Sequence, residues 1–131
     1  MKAAAIPIAS SYRLDPVDDP ARWQALFASA PRPALEQDWA FGEAMATTEK
    51  VPVERLIVLR DAAPVALVQA FRRRLIGKFS LIRLVRGPVW LGEADETERA
   101  GVLRALRWHW RPGRGTLLSC VPELPAGRDS D

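Results

Sequence analysis

The residues that could do chemistry are first of all a run of cations with no acidic residue between them. They are Arg72, Arg73, Arg74, Lys78, Arg83 and Arg86. Clustered guanidinium and ammonium groups can neutralise phosphates, so Arg72, Arg73, Arg74 and Lys78 are candidates for an anion-binding or RNA-binding segment. Neighbouring side chains on a strand point to opposite faces, so the six need not form one patch. The pattern therefore favours the solvated end of a hairpin, whose charges also discourage edge pairing.

A second candidate, residues 74–79, half matches the (Gln/Arg)-x-x-Gly-x-(Gly/Ala) loop that holds the pyrophosphate of coenzyme A. Phe79 stands where that loop needs a small residue for close backbone approach. A strand is predicted to follow, so the aligned amides of a helix N-terminus are missing. We therefore do not expect a coenzyme A site here.

The joint between a predicted strand and a helix contains a third set of candidates, Arg86, Gly87 and Trp90. Free amides near the glycine could face a ligand, and Trp90 is the best candidate for ligand stacking. The helix that follows begins with the acidic residues Glu93, Asp95, Glu96 and Glu98. These carboxylates would repel a phosphate and already use the positive end of the helix dipole. An anion site at this joint is not expected.

His109 is the one histidine of the sequence, and Cys120 is its one cysteine. One cysteine excludes an internal disulfide, and one histidine excludes a two-histidine metal site formed by this chain alone. His109 has no Gly-x-Ser-x-Gly nucleophile to serve, so it is interpreted as a favourable charge at a helix C-terminus. Cys120 is predicted to be a small buried apolar residue. No catalytic residue can be named, and no metal is expected.

Composition points to one ordinary globular domain. The chain has 131 residues, of which 48% are hydrophobic and 27% charged. The net charge of +3 is uneven, because residues 1–66 carry 7 basic and 9 acidic groups and residues 67–131 carry 12 and 7. No apolar run is long enough to span a membrane. Residues 1–10 are expected to be a frayed tail or a first strand rather than a signal peptide, so we expect a cytoplasmic protein.

Three helices are predicted from caps and apolar spacing. The first begins with Asp19 as its cap and Pro20 in its first turn. A second helix is predicted over residues 35–47. The third, over residues 95–110, has capping-box spacing at its start and arginines in its last turn.

Four strands are predicted over residues 53–60, 65–73, 79–85 and 116–121, bounded by proline and glycine turns. The first two are expected to form a hairpin across residues 61–64. We expect one domain over residues 1–121 and a flexible tail over residues 122–131.

Three short strings, in this order and spacing, resemble the N-terminal part of FemAB-like proteins. They lie at residues 35–39 (Leu-Glu-Gln-Asp-Trp), 64–69 (Pro-Val-Ala-Leu-Val-Gln) and 86–90 (Arg-Gly-Pro-Val-Trp). The resemblance covers residues 20–121. It implies an α/β fold of the GNAT acyltransferase type, with a central mixed sheet flanked by helices and truncated after its fifth strand.

The resemblance also implies transfer of an acetyl or aminoacyl group to an amine, with acetyl-CoA or aminoacyl-tRNA as donor. Some relatives use a cell-wall peptide precursor as acceptor and hold its phosphates with a lysine on the second helix. Residues 37–46 contain Glu43 and no lysine here, which departs from that pattern.

We therefore expect the non-catalytic half of an acyltransferase. It would bind no cofactor itself, would have no membrane partner, and would pack against a second GNAT-like domain. Two alternatives stay open. One is an anion- or RNA-binding module that uses residues 72–86. The other is a homodimer in which two incomplete sheets complete each other.

Overall fold

The computed structural model describes residues 12–121 and contains one mixed sheet between two helical layers. The expected N-terminal segment over residues 1–10 and the expected tail over residues 122–131 lie outside the described part. The strands are β1 (Tyr12–Pro16), β2 (Val53–Arg60), β3 (Ala63–Arg74), β4 (Ser80–Val85), β5 (Val89–Trp90) and β6 (Thr116–Val121). The helices are α1 (Pro20–Ala28), α2 (Trp39–Glu49) and α3 (Glu96–His109).

The sheet runs in the order β1-β2-β3-β4-β6, and the short β5 pairs with β3 beside β4. Neighbouring strands are antiparallel except for β4 and β6, which are parallel. A parallel pair needs a long crossover, and α3 supplies it between these two strands. The expected mixed sheet flanked by helices is confirmed.

Each face of the sheet is covered by a different layer. Helix α3 packs Val102, Leu106 and Trp110 onto one face. Helix α1 inserts Trp23, which is fully buried, into the other face, and Trp39 at the start of α2 packs beside it. Alternation along β2 serves both layers, because Val58 faces α3 and Ile57 faces α1.

The caps that the sequence predicts for α1 and α3 are present. Asp19 accepts a hydrogen bond from the Ala21 amide, and Asp95 accepts one from the Glu98 amide. The β2–β3 hairpin is also confirmed, and its turn at Asp61 and Ala62 has positive φ at both residues.

Two predictions of secondary structure are wrong. The helix expected over residues 35–47 is divided into a 3-10 turn, Leu35–Gln37, and α2. The division occurs because the Asp38 side chain caps α2 by accepting from the Ala40 amide. Strand β5 was not predicted, so the described sheet has six strands rather than five. It has two residues, too few to show an alternating pattern.

The prediction that Cys120 is buried is also wrong. The thiol is exposed rather than buried. Strand β6 lies at the end of the described strand order, so Cys120 has a neighbouring strand on one side only.

Candidate functional site

The side-chain amide of Gln37 closes a gap in the sheet. Its Nε2 donates to the carbonyl oxygens of Gln69 on β3 and Val85 on β4, both at 2.9 Å. Its Oε1 accepts from the Gln69 backbone amide at 2.7 Å. The last backbone pair between these two strands is Ala70 with Leu84. A side chain therefore replaces the missing strand contacts where β4 leaves β3.

Gln69 extends this network towards α2. Its Nε2 donates to the carbonyls of Glu36 and Asp38, and its Oε1 accepts from Arg55 Nε at 2.7 Å. Gln37 and Gln69 are both fully buried. Their side chains are thus bonded to the segment that joins the 3-10 turn to α2, which ties the helical layer to the sheet.

Arg55 is the charged member of this network. Its Nη2 donates to the Trp39 carbonyl and pairs with Glu43 at 3.0 Å, and its guanidinium lies 3.5 Å from the centroid of the Trp39 ring. Desolvation lowers the pKa of Arg55, and Glu43 opposes that shift. The guanidinium remains charged because arginine does not deprotonate in proteins. We refer to Gln37, Gln69, Arg55 and their partners as the Gln37 network.

Two glycines are required by close packing around the network. A Cβ at Gly87 would lie 2.9 Å from Cδ of Gln37, and a Cβ at Gly42 would overlap the Gln69 side-chain amide. Gly87 thus makes room for Gln37, and Gly42 lets α2 approach β3.

The structure brings together parts of the three strings that resemble the FemAB-like pattern. Residues 35–39 supply Gln37, residues 64–69 supply Gln69, and residues 86–90 supply Gly87. None of these contacts involves a nucleophile or a general base. Within residues 12–121, no group of three or more His, Cys, Asp or Glu could hold a metal ion. The strings therefore mark a structural connection.

A groove of about 170 Å³ opens beside this network, between α2 and strands β3 and β4. Its lining is apolar with a charged rim: Glu36, Phe41, Met45, Glu49, Val51, Phe71, Arg73, Leu81, Arg83 and Val85. We call it the α2 groove. The volume is below the 300–1,000 Å³ range of pockets for whole drug-sized ligands. It fits one apolar portion of a larger molecule.

The apolar surface continues beyond the α2 groove onto β6. Leu81 pairs in parallel register with Leu117, so both side chains lie on the same face of the sheet. Leu117 is exposed.

The candidate ligand residues at the strand-to-helix joint separate in the structure. Arg86 lies on the α2 side, with Nε 3.6 Å from Oε1 of Glu36. Trp90 packs against the core on the α3 side, and Arg99 of α3 lies over its ring. Arg86 and Gly87 are therefore near the α2 groove and the Gln37 network, whereas Trp90 lies on the opposite face.

The cations of residues 72–86 do not form one patch. Arg72 pairs with Glu54, and Arg73 pairs with Glu49 at 3.5 Å. Arg83 faces the α2 groove, Arg74 is the exposed last residue of β3, and Lys78 lies in the exposed β3–β4 turn. The separation follows from the alternation of side chains on β3 and β4.

His109 is a structural residue in this arrangement. Desolvation lowers the pKa of its imidazole, and the positive charge of Arg114 lowers it further. Its ring packs edge-on against Trp110 with centroids 5.1 Å apart. Folding therefore disfavours the charged imidazole, which runs against the interpretation of His109 as a charged partner for the helix dipole.

Sequence reasoning did not identify Gln37, Gln69, Arg55 or the α2 groove. One signal was present, because Gln69 is a polar residue within the apolar run of β3. A buried polar side chain needs hydrogen-bond partners, so Gln69 implied polar groups opposite its side chain. Nothing in the sequence named Arg55 and the carbonyls of Glu36 and Asp38 as those partners.

No helix among residues 12–121 is long and apolar enough to cross a membrane.

No family model and no curated protein sequence match the chain. A crystal structure of FemX is similar to this structure, with a TM-score of 0.65 and 16% sequence identity, over 90% of this chain and 29% of that one. This chain therefore spans less than a third of the FemX chain, and its described sheet and helices have a FemX-like fold.

Proposed function

We propose that this chain is the part of a Fem-type acyltransferase that holds the acceptor amine and does not bind the acyl donor. The observation that carries the proposal is the FemX-like fold over 90% of the chain. The transfer would form an amide at the acceptor nitrogen and break the donor thioester or ester. A second, GNAT-like domain would present the donor.

The start of α3 supports a chain without its own donor site. A helix N-terminus can hold a phosphate through its free amides. Here the Glu98 amide is bonded to Asp95, and Glu96 and Glu98 add two carboxylates in the first turn. Residues 74–79, the other candidate for a pyrophosphate loop, form the end of β3 and the turn to β4 rather than the start of a helix.

The α2 groove supports a role in holding the acceptor. Arg83 has no carboxylate partner among the residues that the structure describes, and it lies beside Leu81 and Val85. A guanidinium next to an apolar floor suits a molecule that has both a short carbon chain and an anionic group. Helix α2 contains no lysine or arginine, so it supplies no cation for acceptor phosphates. We therefore favour an amine that carries a carboxylate.

The donor half of the proposal is tested by a thermal melt with and without millimolar acetyl-CoA. A ligand at 100 times its dissociation constant adds about 2.7 kcal/mol to the stability of its receptor. We expect a cooperative melt that does not move. A clear upward shift would mean that the chain holds the donor, and this part of the proposal would be wrong.

The acceptor half is tested with 6-aminohexanoate, which combines an amine, an apolar chain and a carboxylate. The chain has 2 methionines, and Met45 lines the α2 groove, so a ¹³C-methyl label reports on the groove directly. We expect a saturable shift of the Met45 signal that Arg83→Gln abolishes and Arg22→Gln leaves unchanged. Arg22 is an exposed residue of α1 and serves as the matched control. A Met45 signal that does not respond would refute an acceptor site in the groove.

A further inference from the structure

One end of the sheet exposes an unusual share of the apolar surface. Within residues 12–121, the exposed large apolar side chains are Leu35, Leu75, Ile76, Phe79, Trp108 and Leu117. Four of these six lie in two neighbouring segments, residues 74–79 and residues 108–114. Ile76 is 91% exposed and Trp108 is 62% exposed. We call these two segments together the basic tip.

The two segments of the basic tip are held side by side. The Ser80 amide donates to the Gly115 carbonyl at 2.9 Å, where β4 and β6 begin. The β3–β4 turn is closed by a bond of 2.8 Å from the Leu75 amide to the Phe79 carbonyl, and Gly77 has a φ of +68°. This closure fixes the turn with Ile76 in solvent, so its exposure is built into the fold.

The basic tip is also purely cationic. Residues 74–79 and 108–114 contain Arg74, Lys78, Arg111 and Arg114 and no acidic residue. None of the four pairs with a carboxylate among the described residues. The nearby carboxylates are already used, because Glu54 pairs with Arg72 and Glu49 with Arg73.

Trp108 and Arg111 form a further pair at the basic tip. The Arg111 guanidinium stacks 3.8 Å from the centroid of the Trp108 ring and donates to the Trp108 carbonyl. Tryptophan with a neighbouring cation suits a boundary at which one side is apolar and the other carries charge.

We propose that the basic tip docks on the surface of an anionic lipid bilayer, with Ile76 and its apolar neighbours entering the outer acyl region and the four cations contacting the head groups. Apolar side chains flanked by lysine and arginine are the pattern of interfacial attachment. This inference is independent of the proposed acceptor site. It replaces the sequence-level expectation of no membrane partner with a surface contact.

The exposed groups favour a lipid over the two other possible partners. Single-stranded RNA binds through aromatic platforms on which bases stack, and the most exposed residue here is the aliphatic Ile76. A second copy of the chain would need an acidic and apolar surface to match. The acidic start of α3, with Glu93 and Glu96, has no large exposed apolar residue beside it.

The test is flotation of the full chain with vesicles of phosphatidylcholine alone, or of equal parts phosphatidylcholine and phosphatidylglycerol. We expect binding to the mixed vesicles that weakens with salt, and little binding to the neutral ones. Each cation near the surface contributes about fivefold in partitioning, so the double variant Arg74→Ser/Lys78→Ser should bind about 30-fold more weakly. Ile76→Ser should lose about tenfold.

Matched controls separate the basic tip from charge and apolarity in general. Leu35→Ser removes an apolar side chain that is 69% exposed elsewhere. Arg22→Ser/Arg32→Ser removes two exposed cations from the opposite half of the chain. Both controls should bind as the unmodified chain does. All altered residues are exposed, so unchanged thermal melts will show that folding is intact.

Three results would overturn the proposal. The first is a folded chain that does not float with anionic vesicles. The second is binding that the control variants weaken as much as the variants of the basic tip do. The third is vesicle binding that does not depend on the basic tip, together with another interaction that does. That interaction could be tight binding to a single-stranded RNA or dimerisation seen in light scattering.

Discussion

Replacing Gln37 with leucine is the most informative perturbation of this fold. Leucine has a similar size but neither donates nor accepts. Three backbone groups would lose their partner: the buried amide and carbonyl of Gln69 and the partly buried carbonyl of Val85. Each unsatisfied group costs about 1–3 kcal/mol, and the added apolar burial offsets about 2 kcal/mol. The three groups together cost about 3–9 kcal/mol, so the expected net loss of stability is roughly 1–7 kcal/mol, about 4 kcal/mol at the centre of that range.

Such a loss is a large part of the 5–15 kcal/mol that holds a typical domain together. The assay is urea unfolding of the unmodified chain, Gln37→Leu and the control Gln24→Leu. Gln24 is exposed on α1, so its substitution should change the free energy of unfolding by less than about 0.5 kcal/mol. A Gln37→Leu variant that stays within about 1 kcal/mol of the unmodified chain would refute the reasoning.

A second variant keeps the argument testable if Gln37→Leu does not fold. Gln37→Glu retains an acceptor for the Gln69 amide but loses both Nε2 donors when it is ionised. A protonated carboxyl donates once, so stability should recover partly as the pH falls. A variant whose stability decreases steadily on acidification would contradict the assigned role of the Nε2 donors.

Three further expectations follow. Gly42→Ala should destabilise the chain by about 1–3 kcal/mol in urea, because its Cβ would overlap the Gln69 amide, whereas the exposed Gly92→Ala should not. Folding lowers the pKa of His109, so this residue contributes stability above its ordinary pKa of 6.5. That contribution is lost as the pH falls from 6.5 towards the pKa in the folded chain. His109→Gln should therefore make the urea midpoint depend less on pH in this range. Cys120 should react with a maleimide in the folded chain, because it is exposed. The reaction should be faster at alkaline pH, because desolvation raises the pKa of the thiol. Protection of the thiol until denaturant is added would contradict its exposed position.

Similarity to FemX concerns the fold of the described residues, and it enters the two proposals differently. The acceptor role rests on that fold together with the α2 groove, whereas the membrane contact rests on the basic tip alone. The two surfaces are altered by different substitutions, Arg83→Gln and Ile76→Ser, so either proposal can fail without the other. The cytoplasmic location, the second domain and the homodimer remain predictions.

Local sequence determined the elements that depend on neighbouring residues. The caps at Asp19 and Asp95 satisfy amides within three residues, and strand β2 has the bounds that its apolar run predicts. The order of the elements followed from the same local signals, whereas the mixed sheet was implied by the resemblance to FemAB-like proteins. The caps and the strand bounds need no knowledge of distant contacts, because their hydrogen bonds and breakers lie nearby in the chain.

The tertiary structure alone decided what the distinctive residues do. Gln37 and Val85 are 48 positions apart and meet only because β4 separates from β3 beside the 3-10 turn. Cys120 is exposed on β6, which has one neighbouring strand among residues 12–121. The cations of residues 72–86 separate because side chains alternate along β3 and β4 and so face different sides of the sheet. Residue type sets which contacts are possible, and the packing of distant segments sets which of them form.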